Sequence, residues 1–149
     1  MPAISRFFGI VITRNYGDHP PPHFHMRYGD QKALVVIDTL ALIRWSKYAA
    51  PGVSILKDIV EVQPTRDYRL RLRFEDGREG EVDVAGMIQF EGIFAPLKDR
   101  AEFLKVYVNP ELGTICWPNG ADLDPDVLYA KVTGEEISIS ESLESRKLR

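Results

Sequence analysis

The seven residues Tyr68-Arg69-Leu70-Arg71-Leu72-Arg73-Phe74 alternate apolar and basic side chains without a break. That period of two fits a half-buried strand and no helix. Glu75-Asp76-Gly77 follows, and then Arg78-Glu79-Gly80-Glu81-Val82-Asp83-Val84. A type I turn with Gly77 in the left-handed position closes the two runs into a hairpin. In that register Arg73 faces Glu79, Arg71 faces Glu81 and Arg69 faces Asp83, while Leu70 faces Val82 and Tyr68 faces Val84. Charge pairing and apolar pairing select the same register, and a slip of one residue would reverse both faces. The hairpin commits this part of the chain to antiparallel sheet. It also makes the arginine row a self-neutralised solvent face rather than a phosphate-binding stripe.

The flanking sequence extends this pattern. Ile55 to Val62 reads as a strand interrupted by Pro64. Asp99 caps a short helix through Phe103, and Lys105–Val108 with Thr114–Trp117 forms a second hairpin around Asn109-Pro110-Glu111-Leu112-Gly113. Asp124 caps a further helix with Pro125 in its first turn. Asp122, Asp124 and Asp126 have the spacing of a calcium loop, but Pro125 and the missing later glycine and glutamate favour the cap. Upstream, Phe7 to Ile12 reads as a strand, Asn15 to Pro22 as a loop, His23 to Tyr28 as a second strand and Ala33 to Ile37 as a third. Asp38 or Thr39 opens a predicted helix running to about Ala50, with Pro51-Gly52 as its stop and as the junction between two parts. The expected fold class is α+β: an N-terminal three-stranded β-meander, then a β-rich α+β module with antiparallel hairpins and short helices. The expected domains are a basic module over 1–50, an acidic module over 54–134, and a mobile tail over 135–149.

The charge is divided along the same line. Residues 1–57 carry seven Lys/Arg against three Asp/Glu (+4), and residues 58–149 carry twelve against nineteen (−7). Such a split fits a nucleic-acid surface beside its own acidic cover, or two modules that simply differ in surface charge. The apolar runs are too short to span a membrane, so no membrane partner is expected. The N-terminus lacks the pattern of a signal peptide. Cys116, the single cysteine, can form no internal disulfide and reads as a small buried apolar residue. These features fit a cytoplasmic location. They also exclude a four-cysteine or two-cysteine, two-histidine zinc site within one chain.

All three histidines fall within Asp18-His19-Pro20-Pro21-Pro22-His23-Phe24-His25. His23 and His25 stand two apart on a predicted strand, so both imidazoles point to one side with Cα atoms roughly 6–7 Å apart. That suits general acid/base work on a phosphodiester, a shared metal ion, or a structural or partner contact. Three stiff prolines hold His19 roughly 12 Å from His23, long for two ligands of one metal unless the segment bends. The metal candidates are therefore His19, His23 and His25, with Asp18 and Asp30 able to complete a set. Arg27 shares the face of the histidine pair and is the candidate phosphate contact, joined by Arg14 and Tyr28 as substrate-binding residues. No cofactor is expected apart from a divalent metal at this cluster, and the sequence does not fix a reaction.

Two resemblances overlay this reading. Met1 to Ile12 with Asp18 to His25 and Tyr28-Gly29-Asp30 closely resembles the bacterial domain family of unknown function numbered 4160, over roughly residues 1–43. Asp67-Tyr68-Arg69-Leu70, Gly92-Ile93-Phe94-Ala95-Pro96-Leu97 and Gly113 to Asp122 resemble the family of unknown function numbered 2442, from about Ile55 to Tyr129. Genes of the two families are often neighbours in toxin–antitoxin-type pairs. The resemblance therefore implies an effector module fused to its partner, acting on or binding nucleic acid. The alternatives are a non-enzymatic binding or regulatory module with structural histidines, self-association or a cognate protein partner, and a divalent-metal-binding protein. Relatives of the first family continue through a longer helical segment after the third strand, so the short stretch 38–54 implies a truncated first module.

Overall fold

A computed structural model of the chain describes residues 3–17, 20, 22–38, 40, 42–45 and 57–135. It is α+β and rich in antiparallel sheet, as the sequence pattern requires. The expected tail over 135–149 lies outside the described residues after position 135, as do His19, Asp18 and the Pro51-Gly52 junction.

Among the described residues, the N-terminal part is one antiparallel meander of five strands, two more than expected. They are β1 (Ala3–Phe7), β2 (Ile10–Thr13), β3 (His23–Tyr28), β4 (Gln31–Val36) and β5 (Leu42–Trp45), in spatial order β1-β2-β3-β4-β5. The run expected to form one strand through Phe7–Ile12 is instead folded back on itself. Phe8 and Gly9 both take positive φ, 47° and 79°, the geometry of a two-residue hairpin turn whose twist matches the flanking strands. The predicted helix over 38–50 is also corrected at its described residues: Leu42–Trp45 pairs with β4, through Val35↔Leu42, Leu34↔Arg44 and Ala33↔Trp45, while 46–50 lie outside the described residues. Its helical periodicity was weak, and an open edge on a strand buried at Lys32, Ala33, Leu34 and Val35 is a stronger local demand than helix propensity.

The C-terminal part holds the apolar core. Strands β6 (Ile59–Pro64), β7 (Arg69–Phe74) and β8 (Glu79–Asp83) form a sheet in the order β6-β7-β8. The register of β7 on β8 is the expected one, with Arg69↔Asp83, Leu70↔Val82, Arg71↔Glu81 and Arg73↔Glu79. Gly77 has φ 85° at the turn. The arginine row is neutralised at the surface: Arg71 meets Glu79 at 2.8 Å, Arg69 meets Glu81 at 3.2 Å, and Arg73 turns to Glu61 on β6.

The opposite face of β7 puts Leu70, Leu72 and Phe74 into a core with Phe103, Ile115, Trp117 and Leu128. Short 3-10 turns at Val84–Gly86 and Gly92–Lys98 lead to α1 (Arg100–Phe103), capped by Asp99. The hairpin of β9 (Tyr107–Asn109) and β10 (Thr114–Cys116) follows, and then α2 (Pro125–Thr133). α2 lies close on β8 at Gly80, where an added Cβ would stand 2.8 Å from Val132. No described helix is long and apolar enough to cross a membrane.

Cys116 is 3% exposed beside this core, and burial, helped by the nearby Asp122, pushes its thiol up to about 12. The thiolate is the reactive form. Native protein at pH 8 is therefore expected to leave Cys116 unmodified by an aromatic disulfide reagent, whereas denatured protein reacts fully. Fast native modification would mean that the C-terminal core opens readily.

Candidate functional site: a polar junction around the histidine pair

Alternation along β3 sends His23, His25 and Arg27 to one face and Phe24, Met26 and Tyr28 to the other. The first face is not open to solvent. His23 is fully buried and His25 nearly so, and what covers them is the C-terminal part. Their Nε2 atoms lie 3.7 and 3.5 Å from Oδ2 of Asp124. The imidazole rings sit 5.1 Å apart between centroids, tilted by 57°.

Asp124 is placed by its role as helix cap. Its Oδ1 accepts the amides of Asp126 at 2.7 Å and Val127 at 3.3 Å at the start of α2, so the carboxylate is fixed and its second oxygen is turned to the histidines. The segment before it is folded by local hydrogen bonds. The Trp117 amide donates to the Ala121 carbonyl at 2.9 Å, and the Thr114 hydroxyl donates to the Leu123 carbonyl at 2.6 Å. These bonds bring Asp122 and Asp124 to the side facing β3. The loop after β2 reaches back in kind. The Tyr16 amide donates to Asp122 Oδ1 at 2.7 Å and Asn15 Nδ2 donates to Asp122 Oδ2 at 3.2 Å. The Asp124 amide donates to the Tyr16 carbonyl at 3.1 Å. Burial pushes the Asp122 carboxyl up to about 6, against the pull of the hydrogen bonds from Tyr16 and Asn15.

A second group of contacts lies farther along β3. Arg27 forms an ion pair with Asp58. Lys32, opposite Arg27 in the β3–β4 register, reaches Asp58 at 2.9 Å and Glu75 at 2.8 Å. Arg27, Lys32 and Asp58 keep only 14%, 9% and 20% of their side-chain surface. Gly113, with φ 68°, passes directly beneath: a Cβ there would run into the Asp58 carboxylate and the Arg27 guanidinium. At the edge, Arg6 donates to Glu111 at 2.8 Å.

Of the residues singled out from sequence, the structure brings His23, His25 and Arg27 together on one buried face. Arg14 is exposed. Tyr28 is 57% exposed and lies on the other face of β3. Asp30 is in the exposed β3–β4 turn, away from the histidines along the strand. His19 and Asp18 lie outside the described residues. Sequence reasoning missed Asn15, Asp58 and the second role of Asp124, and noted Asp122 only for its calcium-loop spacing; the opposed charges of the two parts were a further signal.

Family comparison matches residues 9–63 to a domain of unknown function, DUF4160, and residues 59–134 to the protein family of unknown function DUF2442. The two matches stand in the expected order and meet at β6. No curated protein and no solved structure shows significant similarity to the chain.

Proposed function

The chain belongs to the DUF2442 family, with a DUF4160 region ahead of it, and from that premise we propose that it is a fused toxin–antitoxin-type protein held in a self-covered state. The N-terminal module carries a nucleic-acid-directed face, with His23 and His25 in acid/base roles and Arg27 on phosphate. The acidic C-terminal module occupies that face. One observation carries the reading: the cations of the first sheet meet carboxylates of the second part, Arg27 with Asp58, Lys32 with Asp58 and Glu75, Arg6 with Glu111. Carboxylates stand where phosphates of a nucleic acid would lie, and a guanidinium already neutralised in a half-buried ion pair has little to offer a phosphate. On this reading the boundaries near 50 and 54 separate effector from cover.

Full-length protein carrying Asp58→Lys is expected to bind a single-stranded RNA oligonucleotide at least about tenfold more tightly than the wild type, with affinity falling as salt rises. Adding Arg27→Ala should remove most of that gain. Expression of the Asp58→Lys protein should slow bacterial growth, and adding His23→Ala with His25→Ala should relieve it. Equal, weak RNA binding by wild type and Asp58→Lys, with no effect on growth, would overturn the proposal. That outcome would favour a non-enzymatic module, the reading supported by the complete burial of His23.

A further inference from the structure

The geometry points to a divalent transition-metal site shared by the two parts of the chain, with His23 Nε2, His25 Nε2 and Asp124 Oδ2 as ligands and zinc as the ion it suits. Each of the three residues offers a ligand atom within 4.8 Å of the other two, and the Nε2 atoms of His23 and His25 are 3.7 and 3.5 Å from Asp124 Oδ2. A tetrahedral ion with bonds of about 2.0–2.2 Å sets neighbouring ligand atoms roughly 3.4 Å apart. A direct N–H···O hydrogen bond would set them about 2.7–3.2 Å apart. The observed spacings, which are within ion-pair range, lie nearer the tetrahedral value than the hydrogen-bond value.

Burial and chemistry agree with that geometry. The His23 and Asp124 side chains are fully buried and that of His25 is 9% exposed. Nε2 of His25 is buried and makes no hydrogen bond among the described residues. Two imidazoles and one carboxylate are the donor set that zinc and its neighbours favour; magnesium and calcium take oxygen shells. The ligands are also held in place. β3 fixes both histidines at i and i+2 on one face, and the helix cap fixes Asp124 through its other oxygen, the kind of outer support that orients metal ligands. Zinc sites with three protein ligands take a water molecule in the fourth position.

The ligands come from both parts, so the ion would bind only when the first sheet and the start of α2 are together. It would clamp the covered arrangement, whether or not the N-terminal module acts on nucleic acid.

Full-length protein stripped with a chelator and titrated with zinc chloride is expected to take up one ion per chain and to melt several degrees higher, by about 1 kcal/mol or more of linkage stabilisation once zinc exceeds its dissociation constant several-fold. Asn caps a helix as well as Asp, so Asp124→Asn should keep the fold. It should weaken zinc binding by at least the roughly 10- to 100-fold that loss of an outer-shell partner costs. Cobalt(II) gives an independent readout: wild type should develop the visible absorption of a four-coordinate site, and His25→Gln should lose it. The site is refuted if wild type takes up no zinc, or if zinc affinity and the cobalt spectrum are unchanged in both Asp124→Asn and His25→Gln.

Discussion

Asp58→Lys is expected to loosen the first sheet from the rest of the protein, at a cost of about 3 kcal/mol. The carboxylate of Asp58 is shared by Arg27 and Lys32, and none of the three has more than a fifth of its side chain in contact with solvent. Reversing its sign leaves three cations clustered beside Glu75. Removing one partner from a buried pair costs about 3–5 kcal/mol because the remaining charge is stranded; partial exposure argues for the lower end. Native-state hydrogen exchange should show the amides of β3 and β4 exchanging more than about a hundredfold faster, while those of β7 keep their protection. Adding Arg27→Asp should recover part of the loss by restoring an opposed pair. Unchanged exchange in β3 and β4 would mean that the ion pairs do not hold the junction.

Trp117→Ala is expected to destabilise the C-terminal part by about 3–5 kcal/mol, a large share of the stability of a domain this size. Trp117 is 1% exposed, packs against Phe103 with ring centroids 5.9 Å apart, and donates its indole N–H to the Phe103 carbonyl at 2.9 Å. Truncation removes apolar contact, opens a cavity and costs the Phe103 carbonyl its shorter hydrogen bond, leaving it the Val106 amide at 3.3 Å. The same residue anchors the loop that returns through Ala121 to Asp122 and Asp124, so the loss should extend to the junction. Urea unfolding followed by circular dichroism measures it. A midpoint within experimental error of the wild type would show that the core repacks around the gap.

The hairpin of β7 and β8 was legible because two independent patterns, charge and hydrophobicity, demanded one register. The caps at Asp99 and Asp124 were legible because capping is local chemistry, settled by residues two or three positions away. The Phe8-Gly9 turn was hidden by the aromatic and β-branched residues around it, which promise a continuous strand. β5 was hidden because its reason for being extended lies in β4, not in its own residues. The same division runs through the site. The pairing of His23 with His25 follows from strand periodicity alone, and so does the company of Arg27. That Asp124, about a hundred residues away, faces them could not follow from any local rule. Nor could the meeting of Asp58 with Arg27, because side chains so far apart in sequence meet only through the packing of one sheet on another unit.

Asp124 divides its two carboxylate oxygens between α2 and the histidine pair, and that division narrows what position 124 can tolerate. Serine or threonine would cap the helix yet bring a single oxygen. Asparagine would cap it but present an uncharged amide. Glutamate would keep both anionic oxygens on a stem one carbon too long for the cap. Aspartate alone meets both demands, so the start of a helix in one part of the chain and the surroundings of a strand in the other must change together or not at all.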